Sequence, residues 1–391
     1  MPHNFKMSGE QNCATSRSNL NFMRRLAGFP TLLAFAAITT AALVVPAPLR
    51  AQLKPILTIE DDCQSFAIGQ DNRIVYAVPH IKRLKKVVIE RDDVWITEPN
   101  GKAHRIIDRD KFMPVLEPST YVINSLAWAP DGHHITMNMT TMPPELRKED
   151  QSGDSDNKSG PAGGGKALAL IDDNGSEIRV AGSKTRFIEN VSNGTWLGDG
   201  VDVVYLIGGG PYQIGRVNPS DGKSTVLFAG HNFDTVVWDA KHNQAFAVGG
   251  NLSAIGKTVI VRLDLLHETV SEVARLDDYR GQLSVSPSGK RVGFFEDGDT
   301  IQVVDLANPK KPIRVKAGYG RFGWSKDEQR VLLKRGPDEK SNDLVWIGIA
   351  DGSFTPILHD LLFHDFAITP DGSGILVAEP GKQSLKMYPL E

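Results

Sequence analysis

Beyond residue 52 the chain alternates apolar and polar positions in short runs, separated by clusters of Pro, Asp, Asn, Ser and Gly. A period of two is the pattern of half-buried strands, and no stretch demands an amphipathic helix. The clearest phrase is Leu126-Ala127-Trp128-Ala129-Pro130-Asp131-Gly132, leading into Ile135. It returns as Phe366-Ala367-Ile368-Thr369-Pro370-Asp371-Gly372 before Ile375-Leu376-Val377, and as Leu283-Ser284-Val285-Ser286-Pro287-Ser288-Gly289 before Val292-Gly293-Phe294-Phe295. A looser copy, Phe322-Gly323-Trp324-Ser325-Lys326-Asp327-Glu328, precedes Val331-Leu332-Leu333. Pro presets φ for the first central position of a turn, and Asp and Gly tolerate the strained positions that follow. Each copy therefore predicts a hairpin.

Taking the hairpin as the first two strands of a unit, units begin near Gln64, Asn124, Asn190, Phe233, Gln282, Arg321 and His364. The first six continue to a third strand, a polar turn and a fourth strand. Val94-Trp95-Ile96 meets Pro99-Asn100-Gly101 and His104-Arg105-Ile106-Ile107; Ala167–Ile171 meets Asp173-Asn174-Gly175 and Ile178-Arg179-Val180. Only Leu263–Val273 also has a helical period, and its composition suits strands equally well. Four strands per roughly 40–45 residues is the signature of propeller blades. The seventh unit has three strands, and Leu53–Glu60 supplies one unassigned strand at the other end. The expected fold is thus all-β, a single β-propeller of seven four-stranded blades whose N-terminal strand closes the last. Six blades is the alternative, because the phrases around Trp196 and Trp238 lack the Pro-Asp-Gly turn. Lys148–Gly165 has no apolar period, and a disordered insertion is expected over about residues 143–165.

Residues 1–51 stand outside this pattern. Arg24-Arg25 precede an apolar run from Leu26 to Val45, followed by Pro46-Ala47-Pro48-Leu49-Arg50-Ala51-Gln52. These are the n-region, h-region and small-residue cut site of a secretory signal peptide, with cleavage expected after Ala51. An uncleaved anchor in the inner membrane through residues 26–45 is the alternative. The propeller would then occupy residues 52–391, in the periplasm or secreted. Of 44 basic and 47 acidic residues, removal of the leader takes five and one, leaving 39 and 46 and a net charge of −7. That balance is no nucleic-acid footprint. Cys63 becomes the sole cysteine and, beside Phe66 and Ile68, reads as a buried inert thiol.

The strand–Pro-Asp-Gly–strand phrase resembles the WD-repeat-like propeller repeat of TolB-type periplasmic proteins, and it also occurs in the propeller domains of prolyl-oligopeptidase-type peptidases. The matching residues are turn and core positions. The resemblance therefore implies a secreted binding scaffold. The N-terminal α/β domain of TolB has no room between Gln52 and Cys63, and the peptidases' C-terminal hydrolase domain has no counterpart.

Chemistry-bearing motifs are sparse. Neither Gly-x-Ser-x-Gly nor His-Glu-x-x-His occurs. Gly208-Gly209-Gly210-Pro211-Tyr212 lacks the Lys-Ser/Thr of a phosphate loop, and Ser192-Asn193-Gly194-Thr195-Trp196 lacks the Asp of a sialidase Asp-box; both read as loop or turn. Asp150–Asp156 lacks the closing Glu and central Gly of an EF-hand and reads as an acidic linker. Asp92-Asp93, just before Val94–Thr97, reads as a bend, and Asp61-Asp62 as a second local acidic pair.

Propellers usually bind ligands on the face carrying the loops from strand four to the next strand one and from strand two to strand three. On this map that face collects His80, Lys82, Arg83, Lys85 and Lys86, and, as ligand-binding candidates, His231, Tyr279, Arg280, Tyr319, Arg321, His359 and His364, with Asp360 nearby. Arg280 and Arg321, each beside an aromatic, are favoured as contacts because Arg and Tyr dominate binding hot spots. Scattered surface histidines are preferred to a three-His metal site, and a solvated hairpin tip to a docking role for Ile81–Lys86. No catalytic residue, metal or cofactor is assigned. The expected function is an exported, monomeric, non-catalytic scaffold that holds a protein or small ligand through one face. It has no nucleic-acid partner and touches a membrane only through an uncleaved leader. A lactonase-like propeller hydrolase with a channel site is the alternative.

Overall fold

Each apolar-alternating run folds as a short strand, and the strands group as the repeated phrase predicts. The computed structural model describes residues 53–391 except 64, 84–87, 113–119, 143–164, 250–257, 278, 280, 297, 319, 336–341, 364, 380–383 and 391. Strand β1 (Leu57–Ile59) precedes a first group of β2 (Ser65–Ile68), β3 (Ile74–Arg83), β4 (Val88–Thr97) and β5 (Ala103–Ile107), followed by the single helical turn α1 (Arg109–Phe112). The second group is β6 (Thr120–Trp128), β7 (His134–Met142), β8 (Gly165–Asp172) and β9 (Ile188–Glu189). Next come β10 (Val191–Trp196), β11 (Val203–Ile207), β12 (Gln213–Val217) and β13 (Ser224–Leu227), then β14 (Phe233–Asp239), β15 (Gln244–Gly249), β16 (Thr258–Asp264) and β17 (Thr269–Leu276). They are followed by β18 (Leu283–Val285), β19 (Arg291–Phe295), β20 (Thr300–Asp305) and β21 (Ile313–Lys316), and by β22 (Gly320–Trp324), β23 (Arg330–Arg335), β24 (Asn342–Gly348) and β25 (Phe354–Leu361). Three strands end the chain: β26 (Asp365–Ile368), β27 (Gly374–Ala378) and β28 (Leu385–Pro389).

The repeated phrases all fall between the first and second strands of a group, at one end of the sheets. Their carbonyls close tight turns: Ala129 accepts from the Gly132 N–H at 3.0 Å, Ser286 from Gly289 at 2.8 Å and Thr369 from Gly372 at 2.8 Å. The closing residue is left-handed, with φ of 75° at Gly132, 69° at Gly289 and 75° at Gly372. Glu328 fills the same place in the fourth copy with φ 56°. The geometry asks for glycine there, and the Glu stays because its side chain has another partner, described below.

Strand pairing corrects the expected blade count. Among the described residues there are five four-stranded blades, not seven or six: β10–β13, β14–β17, β18–β21, β22–β25, and a closing blade of β26, β27, β28 and β1. The first two strand groups merge into one eight-stranded sheet, joined where β4 runs parallel to β6 at Arg91 and Tyr121. The merger follows from length, since β3 and β4 each reach ten residues and carry β4 up beside the start of β6. The closing blade is built from both ends of the chain: Leu57 pairs with Met387, Thr58 with Lys386 and Ile59 with Leu385.

One further expectation changes. Ile178-Arg179-Val180 is not a strand; the Ile178 N–H still bonds Leu170 O at 2.8 Å, but Ala181 then bonds Pro219 O of the next blade at 2.8 Å. The outer strand of that group is β9 instead, paired to Ala167 and Leu168. Leu263–Val273 spans the end of β16 and most of β17, so strand pairing prevails over its helical period. The expected insertion lies between β7 and β8, outside the described residues but for Gly165.

Middle strands are buried on both faces, and alternate residues enter different cores. Ile74, Tyr76 and Val78 pack with Cys63, Leu376 and Leu385 on one side of β3. Val75 and Ala77 pack with Tyr121, Ile135 and Met137 on the other. In β23, Leu332 joins Trp346, Phe363 and Val377, while Val331 and Leu333 join Phe295 and Phe322. Outer strands such as β13 and β17 keep an exposed face. Unbroken apolar runs mark two-sided burial, and mixed runs mark the rim. Leu332→Ala is expected to cost about 2–5 kcal/mol in urea unfolding by opening a cavity between two blades, whereas Val226→Thr, on an exposed position of β13, should change stability by less than about 0.5 kcal/mol.

Candidate functional site

The face opposite the repeated turns carries four of the seven predicted ligand residues, and each is tied to the scaffold. His231, between β13 and β14, stacks on Phe233 at 6.5 Å, and its buried Nδ1 has no partner among the described residues. Tyr279 packs against the core between the β14–β17 and β18–β21 blades, and burial pushes its phenol up to about 12. Arg321 reaches Asp365 of the closing blade at 2.7 Å, so its charge holds two inner strands together. His359 lies within outer strand β25, 3.4 Å from Asp343, because that strand runs on to Leu361. Arg280, Tyr319 and His364 lie outside the described residues. Among the described residues no three His, Cys, Asp or Glu side chains group as metal ligands.

The same face bears the long β3–β4 hairpin. Near its end Ile81 is 59% exposed, next to exposed Lys82 and Arg83. Lys85 and Lys86 lie outside the described residues.

Below this hairpin sits a group that the sequence pattern does not reveal. Asp92 and Asp93 are in the middle of β4, opposite Pro79 and Val78, and both are buried. They are no bend. Asp93 Oδ2 meets Arg109 Nη1 at 2.7 Å, His80 Nε2 at 3.2 Å and Arg105 Nη1 at 3.3 Å, and its Oδ1 accepts the Arg109 N–H at 2.8 Å. Its charge is compensated from three directions. Asp92 has no cation among the described residues. Its Oδ2 accepts the Ile123 N–H at 2.6 Å, its carbonyl accepts the Tyr121 hydroxyl at 2.7 Å, and its buried Oδ1 has no partner. Burial, with Glu90 and Asp93 adding repulsion against the pull of the Ile123 bond, raises this carboxyl to about 7. The available signal was the apolar Val88-Ile89 ahead of the acids, which continues the strand, and the two arginines downstream.

At the turn end, a cavity of 560 Å³ opens among the inner strands β2, β6, β10 and β14. Its wall includes the Ser192–Trp196 stretch, which forms a β-bulge: Ser192 faces Leu206 and Thr195 faces Val204, leaving Asn193 and Gly194 against one residue. Three of the freed backbone groups have partners across the blades. Gly194 N–H donates to Asn138 Oδ1 at 2.8 Å, Gly194 O accepts from Thr136 Oγ1 at 2.9 Å, and Asn193 O accepts from Trp238 Nε1 at 2.7 Å. A Cβ at Gly194 would press on the end of the Leu168 side chain and on Val204 O, so a larger residue requires Leu168 to move. Bulges of this kind bend a strand near a site or rim. Here the bulge clamps one inner strand between its two neighbours.

No family model and no curated protein matches the sequence. Solved structures do, 1130 chains of them. A chain in the crystal structure of the mitotic checkpoint complex is 14% identical over 92% of this chain and 99% of that one, with a TM-score of 0.55. The β-propeller domain of Cps50 (Swd1) from Myceliophteria thermophila is 11% identical over 86% and 100%, with a TM-score of 0.54. The protein is a β-propeller, similar in fold to these chains. At such identities, and with so many matches, the likeness reaches the fold and stops there.

The Asp92 carboxyl sets a pH dependence with a definite sign. Its folded pKa of about 7 lies above the ordinary carboxyl value of 3.8, so the native state holds the proton more tightly. That contribution is complete below the unfolded pKa and is lost as pH rises through about 7. Asp92→Asn is expected to gain stability relative to the parent between pH 5 and pH 8, on the order of a few kcal/mol, in urea unfolding at both pH values. A difference that does not change with pH would contradict the assignment.

Proposed function

We propose that the protein is an exported, non-catalytic propeller that holds an acidic protein partner on the face bearing the β3–β4 hairpin. The observation that carries this reading is the exposed Ile81 beside Lys82 and Arg83, near the end of a hairpin whose first strand runs for ten residues. An apolar anchor rimmed by cations supplies contact area and electrostatic steering together. The local positive charge stands out on a body whose residues after Ala51 carry a net charge of −7, 39 basic against 46 acidic, which orients an incoming acidic surface toward this end. A partner-holding role accords with the fold, since one similar chain comes from a mitotic checkpoint complex. The chain is further proposed as a relative of TolB-type periplasmic propellers, exported through the leader and cut after Ala51. His231, Tyr279, Arg321 and His359 are proposed as further contacts of the partner on this face.

Photo-crosslinking in cells tests the reading. A crosslinker at Ile81 should capture a defined partner from the exported fraction, while one at Val226 should not. Lys82→Glu with Arg83→Glu should abolish capture without changing the melting temperature. Mass spectrometry of the exported protein should find Gln52 as its first residue. Turnover of lactones or esters above that of heat-denatured protein would sink the non-catalytic assignment.

A further inference from the structure

At the turn end, neighbouring blades are latched to one another by polar side chains. Arg73, just before β3, donates to Gly132 O at 2.6 Å and to Asp173 at 3.0 Å. His134 stacks on Trp196 at 4.6 Å. Asn243 Oδ1 accepts the Gly198 N–H at 2.9 Å, and Gln244 Nε2 donates to Gly289 O at 2.9 Å. Arg291, the first residue of β19, donates to Glu328 O at 3.0 Å, while Glu328 Oε1 accepts the Ser288 N–H at 2.6 Å. The closing blade is tied to the first group by Asn72 Nδ2, 2.8 Å from Asp371.

The seam between the β22–β25 blade and the closing blade has no such latch among the described residues. Arg330 opens β23 as Arg291 opens β19, so it stands where a latch to the Gly372 turn is due. Its guanidinium instead lies over the Trp346 ring at 4.9 Å, with no hydrogen bond or ion pair to any described residue. A cleft of 440 Å³ occupies the gap, lined also by Lys326, Ile368 and Leu390. At its far end the seam is held by Arg321 and Asp365. Two aspartates belong to the lining, and both are turned to their own turns. Asp371 accepts from Thr369, Ser373 and Asn72, which hold it well below the usual carboxylate range. Asp327 Oδ1 accepts from Ser325 Oγ at 2.6 Å and the Gln329 N–H at 3.1 Å. Lys326 and Arg330, neither ion-paired to a described acid although Arg330 lies near enough to Asp327 to lower its pKa, therefore share the cleft with an apolar wall of Trp346, Ile368 and Leu390.

We propose that this cleft binds a small carboxylate with an apolar body, its carboxylate forked by the Arg330 guanidinium and approached by the Lys326 ammonium, its body against Ile368 and Leu390. A planar guanidinium matches a carboxylate with two parallel N–H donors, and ligand pockets of this type run to roughly 300–1,000 Å³. Bound there, the ligand would supply the contact that every other seam makes from its own side chains. This site is independent of the hairpin face and stands or falls without it.

Calorimetric titration of the full mature chain with 4-phenylbutyrate, and with 4-phenylbutyramide as the uncharged control, tests the assignment. The carboxylate should bind one to one, and the amide at least about tenfold more weakly, a difference of about 1.4 kcal/mol. Arg330→Gln should weaken 4-phenylbutyrate about tenfold or more, and Lys326→Gln, on an exposed side chain that no fold contact requires, should weaken it less. Arg291→Gln, one seam away, should leave binding unchanged. Absence of saturable binding, equal affinity for the amide, or full affinity in Arg330→Gln at an unchanged melting temperature would each overturn the proposal.

Discussion

A four-stranded blade has two apolar faces and no interior of its own. Everything else in this propeller depends on that constraint. The residues of one middle strand are divided between two cores, as Leu332 is separated from Val331 and Leu333, so no blade can bury its surface until both neighbours are in place. Stability is shared among the seams, and a lesion in one strand is felt on both sides of it. The polar latches at the turn end complement this burial. They remove little apolar surface from water but fix how far one blade is rotated against the next.

The buried acids in β4 show how a scaffold departs from its own repeat. Asp93 fixes the β5–α1 segment through Arg105 and Arg109, and Asp92 reaches across to the backbone of Ile123. Together they draw the second strand group against the first and merge two sheets into one. The arrangement leaves one carboxylate fully compensated and its neighbour without a cation among the described residues, a division that local environment alone imposes on two identical side chains. Phe112 and Tyr121, edge to face at 5.6 Å, close the apolar side of the same junction.

The scaffold was largely legible in the sequence because its information is local. Turn residues such as Pro130-Asp131-Gly132 and runs such as Ile375-Leu376-Val377 carry their meaning within a few positions, and the closing role of the strand at Leu57–Ile59 followed from counting strands. What was not legible depends on contacts between distant residues. The length of β4, and with it the merged sheet, rests on Asp92 and Asp93 finding partners in β6 and α1; read alone, two adjacent acids before Val94 suggest a bend. Arg321 looked like a binding residue because it stands beside an aromatic on the correct face, yet its charge is met by Asp365, forty-four positions away in the numbering. The bulge at Asn193-Gly194 and the missing latch at Arg330 are likewise invisible until neighbouring blades are brought together.

Pairing β1 with β28 has a consequence for how the molecule comes into being. The strand that seals the ring is made first and its partner last, so nearly the whole chain must be present before the circle can shut. Until then the sheets form an open arc with two raw edges, and the entropy of bringing those ends together is met only at the final step.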